Sequence, residues 1–231
     1  MTFAAALFDV DGVLLDSASA HRRIWNAWAD LRDLDAEFVW QQTFGRRPED
    51  TVRDVAPQLD PAAEREVLND LMRREGHAFV PMEGAGSLLR ALRPGTWAIV
   101  TSGSRPPVHE RFRRGRLPLP DVQIYGDDVP HAKPHPHPYQ LAARRLGVAA
   151  DHCVVIEDAP AGIAAGKAAG CTVIALTTTH TAAQLPGADA YVTSLTELTH
   201  HLTPLLTPDN PNTEDPTTPP ATPHHTPSPG P

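Results

Sequence analysis

Two carboxylates, Asp9 and Asp11, lie one residue apart near the start of the chain and are followed by Gly12. The apolar run 3–8 that precedes them is short and continuous, which is typical of a buried strand. Alternate residues of a strand share a face, so the two carboxylates point the same way if the strand continues that far. Like charges at this spacing repel unless a cation lies between them or one carboxyl is protonated. The pair therefore indicates a metal-bound nucleophile or a carboxylate beside a carboxylic acid, and the alternative is a solvated turn.

Polar groups also follow three further apolar runs, at the points where the predicted strands end: Thr101, Ser102 and Gly103 after 98–100, Lys133 after 122–125, and Glu157 with Asp158 after 154–156. Taken singly, these groups are typical of a turn, a surface lysine and a helix cap. Open α/β sheets, however, bind ligands beyond the carboxyl ends of their strands, so we expect the groups to converge there. Hydroxyl and backbone N–H groups beside a lysine suit a phosphate, and the carboxylates suit Mg²⁺.

The order of the predicted elements favours an α/β fold. Apolar runs at 98–100, 122–125, 154–156, 173–176 and 191–192 alternate with helical stretches at 88–92, 139–146 and 163–169. This alternation predicts a mostly parallel sheet with helices on both faces. The pattern from 17 to about 79 is helical throughout, and it interrupts the α/β unit after its first strand.

We therefore predict a Rossmann-like, doubly wound core formed by residues 1–16 and 81–203, with a small α-helical cap inserted at 17–80. The remaining segment 204–231 is rich in Pro and Thr and has almost no large apolar residues after Leu206. Such a segment buries too little surface to offset the entropy of ordering it, so we predict a disordered tail.

Composition and charge limit the classes of partner. The chain has 231 residues and a net charge of −8, so we expect no affinity for nucleic acid or an anionic membrane. No apolar stretch approaches the roughly 20 residues that span a bilayer, and the first apolar run is too short for a signal peptide. We expect a cytoplasmic protein acting on a small molecule, as a monomer or homodimer. Cys153 and Cys171 are expected to be free buried residues.

The four polar clusters together resemble the four-motif signature of the haloacid dehalogenase superfamily, over about residues 3 to 192: Asp9-x-Asp11-Gly12, Thr101, Lys133 and Glu157-Asp158. The helical block after the first strand resembles the subfamily that has a small helical cap at this position. The segments around Thr101, Lys133 and Glu157 are most similar to the sugar-phosphate and glycerol-phosphate phosphatases of that subfamily.

This resemblance implies a two-step phosphoryl transfer to water. Asp9 would attack phosphorus and form an aspartyl-phosphate, while Asp11 would protonate the leaving alcohol and then deprotonate the hydrolytic water. Asp9, the backbone carbonyl of Asp11, and Asp158 would hold Mg²⁺, with Glu157 nearby or supporting. The resemblance therefore implies a Mg²⁺-dependent phosphatase of small phosphorylated sugars or polyols.

The resemblance also implies how phosphate and substrate are held. Phosphate oxygens would be bound by Thr101, Lys133 and the backbone at Ser102 and Gly103. In the cap, the pattern Gly45-x-Arg47-x-x-Asp50 resembles a segment that approaches the substrate in the glycerol-phosphate phosphatases. Arg47 is therefore the expected specificity residue.

A phosphosugar mutase is the main alternative. His21 matches in position a histidine of the β-phosphoglucomutases, which favours that reading, and we count it among the expected substrate-binding residues. Pro48 stands where the mutases have a cap arginine, which disfavours it. Glycerol-3-phosphate and phosphoglycolate phosphatases are further alternatives, and a non-catalytic binding module is disfavoured by the intact carboxylates.

Overall fold

The computed structural model describes residues 3–75 and 78–205 of the chain. Its strands are β1 (Ala5–Phe8), β2 (Leu15–Asp16), β3 (Val80–Pro81), β4 (Trp97–Val100), β5 (Val122–Ile124), β6 (Cys153–Glu157), β7 (Thr172–Leu176) and β8 (Ala190–Val192). Its α-helices are α1 (Ala18–Leu31), α2 (Ala36–Gln41), α3 (Pro48–Val55), α4 (Pro61–Arg74), α5 (Ala85–Ala91), α6 (Arg105–Arg114), α7 (His137–Leu146), α8 (Pro160–Ala168) and α9 (Leu195–His201).

The apolar runs form one six-stranded sheet in the order β5-β4-β1-β6-β7-β8, and every neighbouring pair is parallel. Side chains alternate along β1: Ala6 and Phe8 pack into one apolar core, and Ala5 and Leu7 pack into a second core on the other face. A parallel sheet covered on both faces requires strands that are apolar throughout, which is why these runs are continuous in the sequence. The predicted α/β fold is confirmed.

A separate group of four helices, α1 to α4, lies between β2 and β3. These helices have their own apolar core, in which Ile24, Trp25 and Trp28 of α1 pack with Leu68 of α4. The spacing of three and four residues places the α1 side chains on one face of the helix. We therefore propose that residues 17–80 form a cap domain.

The two connections between the cap and the core run side by side. β2 and β3 pair in antiparallel fashion, with Leu15 opposite Pro81 and Asp16 opposite Val80. We refer to this pair as the β2–β3 ribbon. The sequence did not predict it, because two strands of two residues carry no periodicity.

The core extends beyond its predicted C-terminal boundary. The Leu205 side chain is fully buried, and its carbonyl oxygen accepts a hydrogen bond of 3.0 Å from the Arg93 N–H. The packed chain therefore extends at least to Leu205, rather than ending at residue 203 as predicted, because one apolar side chain anchors the start of the Pro-rich segment. The rest of the predicted tail, 206–231, lies outside the described residues.

Within the described ranges, none of the helices combines the length and the apolar composition that a membrane crossing requires. Both cysteines, Cys153 and Cys171, are free and buried, as predicted.

Candidate active site

The polar groups predicted to converge do so at the carboxyl ends of β1, β4 and β6. Asp9 and Thr101 directly follow β1 and β4, and Asp158 follows β6. Lys133 reaches the same point from the segment between β5 and α7. All four side chains are buried, and for the three charged ones this is unusual unless they are paired.

Lys133 is the cation at the centre of this site. Its Nζ lies 2.5 Å from Asp9 Oδ1, 2.7 Å from Glu157 Oε1 and 2.9 Å from the Val100 carbonyl oxygen. Burial opposes the charge of the ammonium group, but the two carboxylates outweigh it and raise the pKa of Lys133 above its usual value. The lysine is therefore charged, and its three N–H groups each have an acceptor.

Asp9, Glu157 and Asp158 form a buried acidic cluster in which one oxygen of each residue lies within 4.8 Å of the others. Burial is the main cause that raises the pKa of Asp9 to about 8. Burial and the carboxylates of Glu157 and Asp9 raise the pKa of Asp158 well above its usual value. A divalent cation would offset both the burial and the repulsion, and oxygen donors suit Mg²⁺. The residues present therefore fit this ion.

Gly12 is required for this cluster. It has a φ of +83°, and a Cβ at this position would collide with the Asp158 carboxylate. The glycine therefore allows the loop after β1 to approach the one after β6.

Glu157 supports the cluster rather than offering free oxygens to a metal. Its Oε1 accepts from Lys133 Nζ and from the Tyr139 hydroxyl, each at 2.7 Å. Its Oε2 accepts from the backbone N–H groups of Asp158 and Ala159, at 3.1 and 3.2 Å. The sequence left open whether Glu157 is a ligand or a support, and these four donors favour the support.

Two threonines that the sequence did not single out hold the same loops. Thr179 Oγ1 lies 2.6 Å from Asp158 Oδ2, and Thr178 Oγ1 donates to the Gly12 carbonyl at 2.6 Å. Both threonines follow β7, so the rule that polar groups after strands face the site would have found them.

The Asp11 carboxylate points away from the acidic cluster, towards the cap. Its Oδ1 lies 3.4 Å from Arg111 Nη1 and 3.9 Å from His21 Nε2. Burial would raise the pKa of Asp11, but His21, Arg111 and the Ser17 hydroxyl outweigh it and lower the pKa. Burial and the charge of Arg111 lower the pKa of His21 against the influence of Asp11. At neutral pH, His21 is therefore uncharged, and Arg111 is the permanent cation beside Asp11.

A cavity lies between the core and the cap above these groups. Of the predicted site residues, it is lined by Asp9, Asp11, His21, Thr101, Ser102, Gly103 and Asp158. Lys133 and Glu157 lie behind them. Ser102 also connects the core to the segment between β2 and β3, because its hydroxyl donates to the Gly45 carbonyl at 2.9 Å. The Gly103 N–H, expected to bind phosphate, donates to Thr101 Oγ1 at 3.1 Å.

Arg47, expected to be the specificity residue, is not among the residues that line this cavity. Its guanidinium donates to the carbonyl oxygens of Gly126 and Val129 in the core, both at 3.2 Å, and to Asp50 at 2.8 Å. Arg47 therefore ties the cap to the core. Its neighbour Arg46 lines the cavity instead, because side chains adjacent in sequence point in different directions.

The chain is similar in sequence to a known family of hydrolases. A family model described as haloacid dehalogenase-like hydrolase matches residues 3–170. Hexitol phosphatase A of Escherichia coli strain K12 is 38% identical over 198 residues, which cover 84% of this chain and 92% of that protein. Glycerol-1-phosphate phosphohydrolase 2 of Saccharomyces cerevisiae is 38% identical over 190 residues, which cover 76% of this chain and 75% of that protein.

A solved structure is similar over the same region. The crystal structure of a HAD family hydrolase from Deinococcus radiodurans R1, with bound phosphate and sodium, matches with a TM-score of 0.68 and 32% identity. The match covers 90% of this chain and 99% of that one. The similarity thus extends through both the core and the cap.

Proposed function

Since the chain belongs to the haloacid dehalogenase-like hydrolase family, we propose that it is a Mg²⁺-dependent phosphatase of small phosphorylated sugars or polyols. The observation that carries this proposal is the convergence of Asp9, Thr101, Lys133 and Asp158 below one cavity. The relatives named for hexitol and glycerol phosphates support the substrate class.

Asp9 is the nucleophile in this proposal. Its carboxylate attacks phosphorus, the bond between phosphorus and the ester oxygen breaks, and an aspartyl-phosphate forms. Asp11 gives its proton to the departing alcohol oxygen and then takes one from the water that hydrolyses the intermediate. The negative charge of an incoming phosphate raises the pKa of Asp11, which counteracts the effect of Arg111 and lets it carry that proton.

The remaining groups neutralise and orient the phosphate. Asp9, Asp158 and the backbone carbonyl of Asp11 would hold Mg²⁺, which supplies charge neutralisation for the phosphate oxygens. The Thr101 hydroxyl donates to a phosphate oxygen. Lys133 provides positive charge from behind Asp9 and keeps that carboxylate oriented.

The experiment that tests this proposal is phosphate release from a panel of phosphorylated metabolites, with Mg²⁺ and with a chelator. The panel includes glycerol 3-phosphate, hexose and hexitol phosphates, and phosphoglycolate. We expect Mg²⁺-dependent release from sugar or polyol phosphates, and a loss of at least about 100-fold in the Asp9→Asn variant. The matched control is Asp121→Asn, at an exposed position outside the cavity. Full activity in the Asp9→Asn variant would exclude Asp9 as the nucleophile.

A phosphosugar mutase is the second candidate, because His21 lines the cavity beside Asp11. Such an enzyme would return the phosphoryl group from Asp9 to a sugar hydroxyl instead of water. Incubation with β-glucose 1-phosphate separates the two candidates: a phosphatase releases inorganic phosphate, and a mutase yields the 6-phosphate.

A further inference from the structure

Arg111 is a cation in the cavity wall. The mechanism proposed above assigns it no direct contact with the substrate. It lies in the last turn of α6, and only 6% of the residue is exposed. One face of its guanidinium is covered by Phe79, with Cζ 3.6 Å from the ring centroid. Nη1 lies 3.4 Å from Asp11 Oδ1, so the cation is fixed next to the proposed proton donor.

The Arg111 guanidinium has N–H donors that are not used in hydrogen bonds within the described residues. Arginine offers five N–H donors, and this long bond to Asp11 is the one side-chain hydrogen bond that Arg111 makes within the described residues. Nη2 is buried there without an acceptor. A buried donor without a partner is unfavourable, so an incoming oxygen atom would find an unusually strong donor here.

The other arginines of the cavity wall differ in this respect. Arg46 donates to Asp54 at 2.5 Å, and Arg65 donates to Glu49 at 2.6 Å and to the Ser104 hydroxyl. Their charges are balanced by carboxylates outside the catalytic cluster. Arg111 is instead paired with a residue expected to change its protonation state during the reaction.

We propose that Arg111 is a specificity residue that contacts the substrate. Its guanidinium donates a hydrogen bond to a hydroxyl on the carbon adjacent to the one that bears the phosphate ester. This inference rests on the proposed function. Asp11 must lie against the ester oxygen to protonate it, so a donor beside Asp11 lies beside the first substituent of the leaving alcohol. That substituent is a hydroxyl in a polyol phosphate such as glycerol 3-phosphate.

The charges of the site favour a hydroxyl over a carboxylate at this position. Asp9, Asp11, Glu157 and Asp158 face the two cations Lys133 and Arg111, and a divalent cation would balance the rest. The substrate phosphate adds its own negative charge to this balanced set, so a further carboxylate would be repelled where a neutral hydroxyl would not. A substrate carboxylate would also compete with Asp11 for Arg111, and the Asp11 carboxylate would repel it.

The test compares two substrates that differ in this hydroxyl alone, glycerol 3-phosphate and 3-hydroxypropyl phosphate. We expect the wild-type protein with Mg²⁺ to favour glycerol 3-phosphate by about 10- to 100-fold in kcat/KM. In Arg111→Met, which keeps an apolar side chain against Phe79, this ratio should fall towards one through a higher KM for glycerol 3-phosphate. Arg111→Lys, which keeps a donor, should recover part of the ratio.

The matched control is Arg113→Met on the same helix, where the arginine is exposed and bound to Glu110. It should keep the wild-type ratio. A merely structural role of Arg111 would lower the activity on both substrates equally and leave the ratio unchanged, which would overturn the proposal. If Arg111→Met fails to fold, the preference of the wild-type protein and that of Arg111→Lys still test the proposal.

Two further outcomes count against the inference in different ways. In the first, the wild-type protein prefers phosphoglycolate to glycerol 3-phosphate and loses this preference in Arg111→Met. That result would show that Arg111 binds a carboxylate of the substrate and not a hydroxyl. An absence of phosphate release from every substrate would overturn the proposed function itself, and the inference with it.

Discussion

Lys133 Nζ lies 2.5 Å from Asp9 Oδ1, although 124 residues separate the two along the chain. The contact joins the loop before α7 to the end of β1, and Glu157 at the end of β6 shares the same ammonium group. Burial of the Asp9 and Glu157 carboxylates side by side would strongly destabilise the fold without a positive charge between them. Lys133 therefore contributes both to the stability of the core and to the proposed chemistry.

Replacement of Lys133 by methionine should impair both stability and turnover. Two buried carboxylates would lose their cation, which is expected to lower the free energy of unfolding by about 3–5 kcal/mol. Phosphate release should fall by at least about 100-fold, because the charge behind the nucleophile is lost. Urea unfolding and initial-rate assays measure the two effects.

The control for this variant is Lys167→Met. Lys167 donates to Asp189 at 2.7 Å on the surface, where an ion pair contributes about 0–1 kcal/mol. Equal unfolding midpoints for the two variants would contradict the central role of Lys133.

Replacement of Thr179 by valine should weaken Mg²⁺ binding while retaining the shape of the side chain. Thr179 Oγ1 orients Asp158 Oδ2, and partners of metal ligands commonly contribute about 10- to 100-fold in metal affinity. We expect the Mg²⁺ concentration for half-maximal activity to rise by this factor, with kcat little changed at saturating Mg²⁺. Direct titration of Mg²⁺ by calorimetry gives a second readout.

Thr181→Val is the matched control, because Thr181 bonds to Gln184 at an exposed position. The same Mg²⁺ requirement in both variants would show that Thr179 does not position the metal ligand.

Replacement of Arg47 by methionine should loosen the cap without altering substrate preference. The variant loses the bonds to the Gly126 and Val129 carbonyls, at an expected cost of about 1–3 kcal/mol in the free energy of unfolding. KM should rise for all substrates alike, because the guanidinium does not line the cavity. Arg53→Met, which removes an exposed partner of Asp50, is the comparison. A change of substrate ranking in Arg47→Met would instead support the expected role of Arg47 in specificity.

The cysteines should be inert in the folded protein. Burial raises the pKa of Cys153 to about 11 and that of Cys171 to about 12. At pH 8, about one Cys153 thiol in a thousand and an even smaller fraction of Cys171 are then ionised, and the thiolate is the reactive form. Ellman's reagent should therefore detect no fast-reacting thiol in the native protein and both thiols after unfolding in urea. Rapid labelling of the native protein would contradict this burial.

Much of the fold follows from the sequence because strands buried on both faces must be apolar throughout. The runs around Ile99, Val155 and Val173 therefore stand out in the chain. α6 does not stand out, because its buried face consists of Val108, Arg111 and Phe112, and the remainder of the helix is polar. An arginine between two apolar residues of one helical face is the signal that would have identified both the helix and its functional residue.

The site was predictable where backbone topology alone brings residues together. Asp9, Thr101 and Asp158 follow neighbouring parallel strands, so their proximity depends only on strand order. The direction of Arg47 depends on how the cap packs against the core, and the spacing of residues does not reveal that. Tyr139 binds Glu157 from α7, where sequence indicates only an apolar helix face. The cytoplasmic location and the oligomeric state stay predictions.

We infer from the β2–β3 ribbon that the proposed cap is an exchangeable unit. The chain leaves the core at Asp16 and returns at Val80, directly opposite, and the intervening helices carry their own apolar core. A different cap joined at these two residues would leave both cores of the α/β domain intact. Recombination at the ribbon, in evolution or in the laboratory, could therefore give the same catalytic half a new choice of substrate.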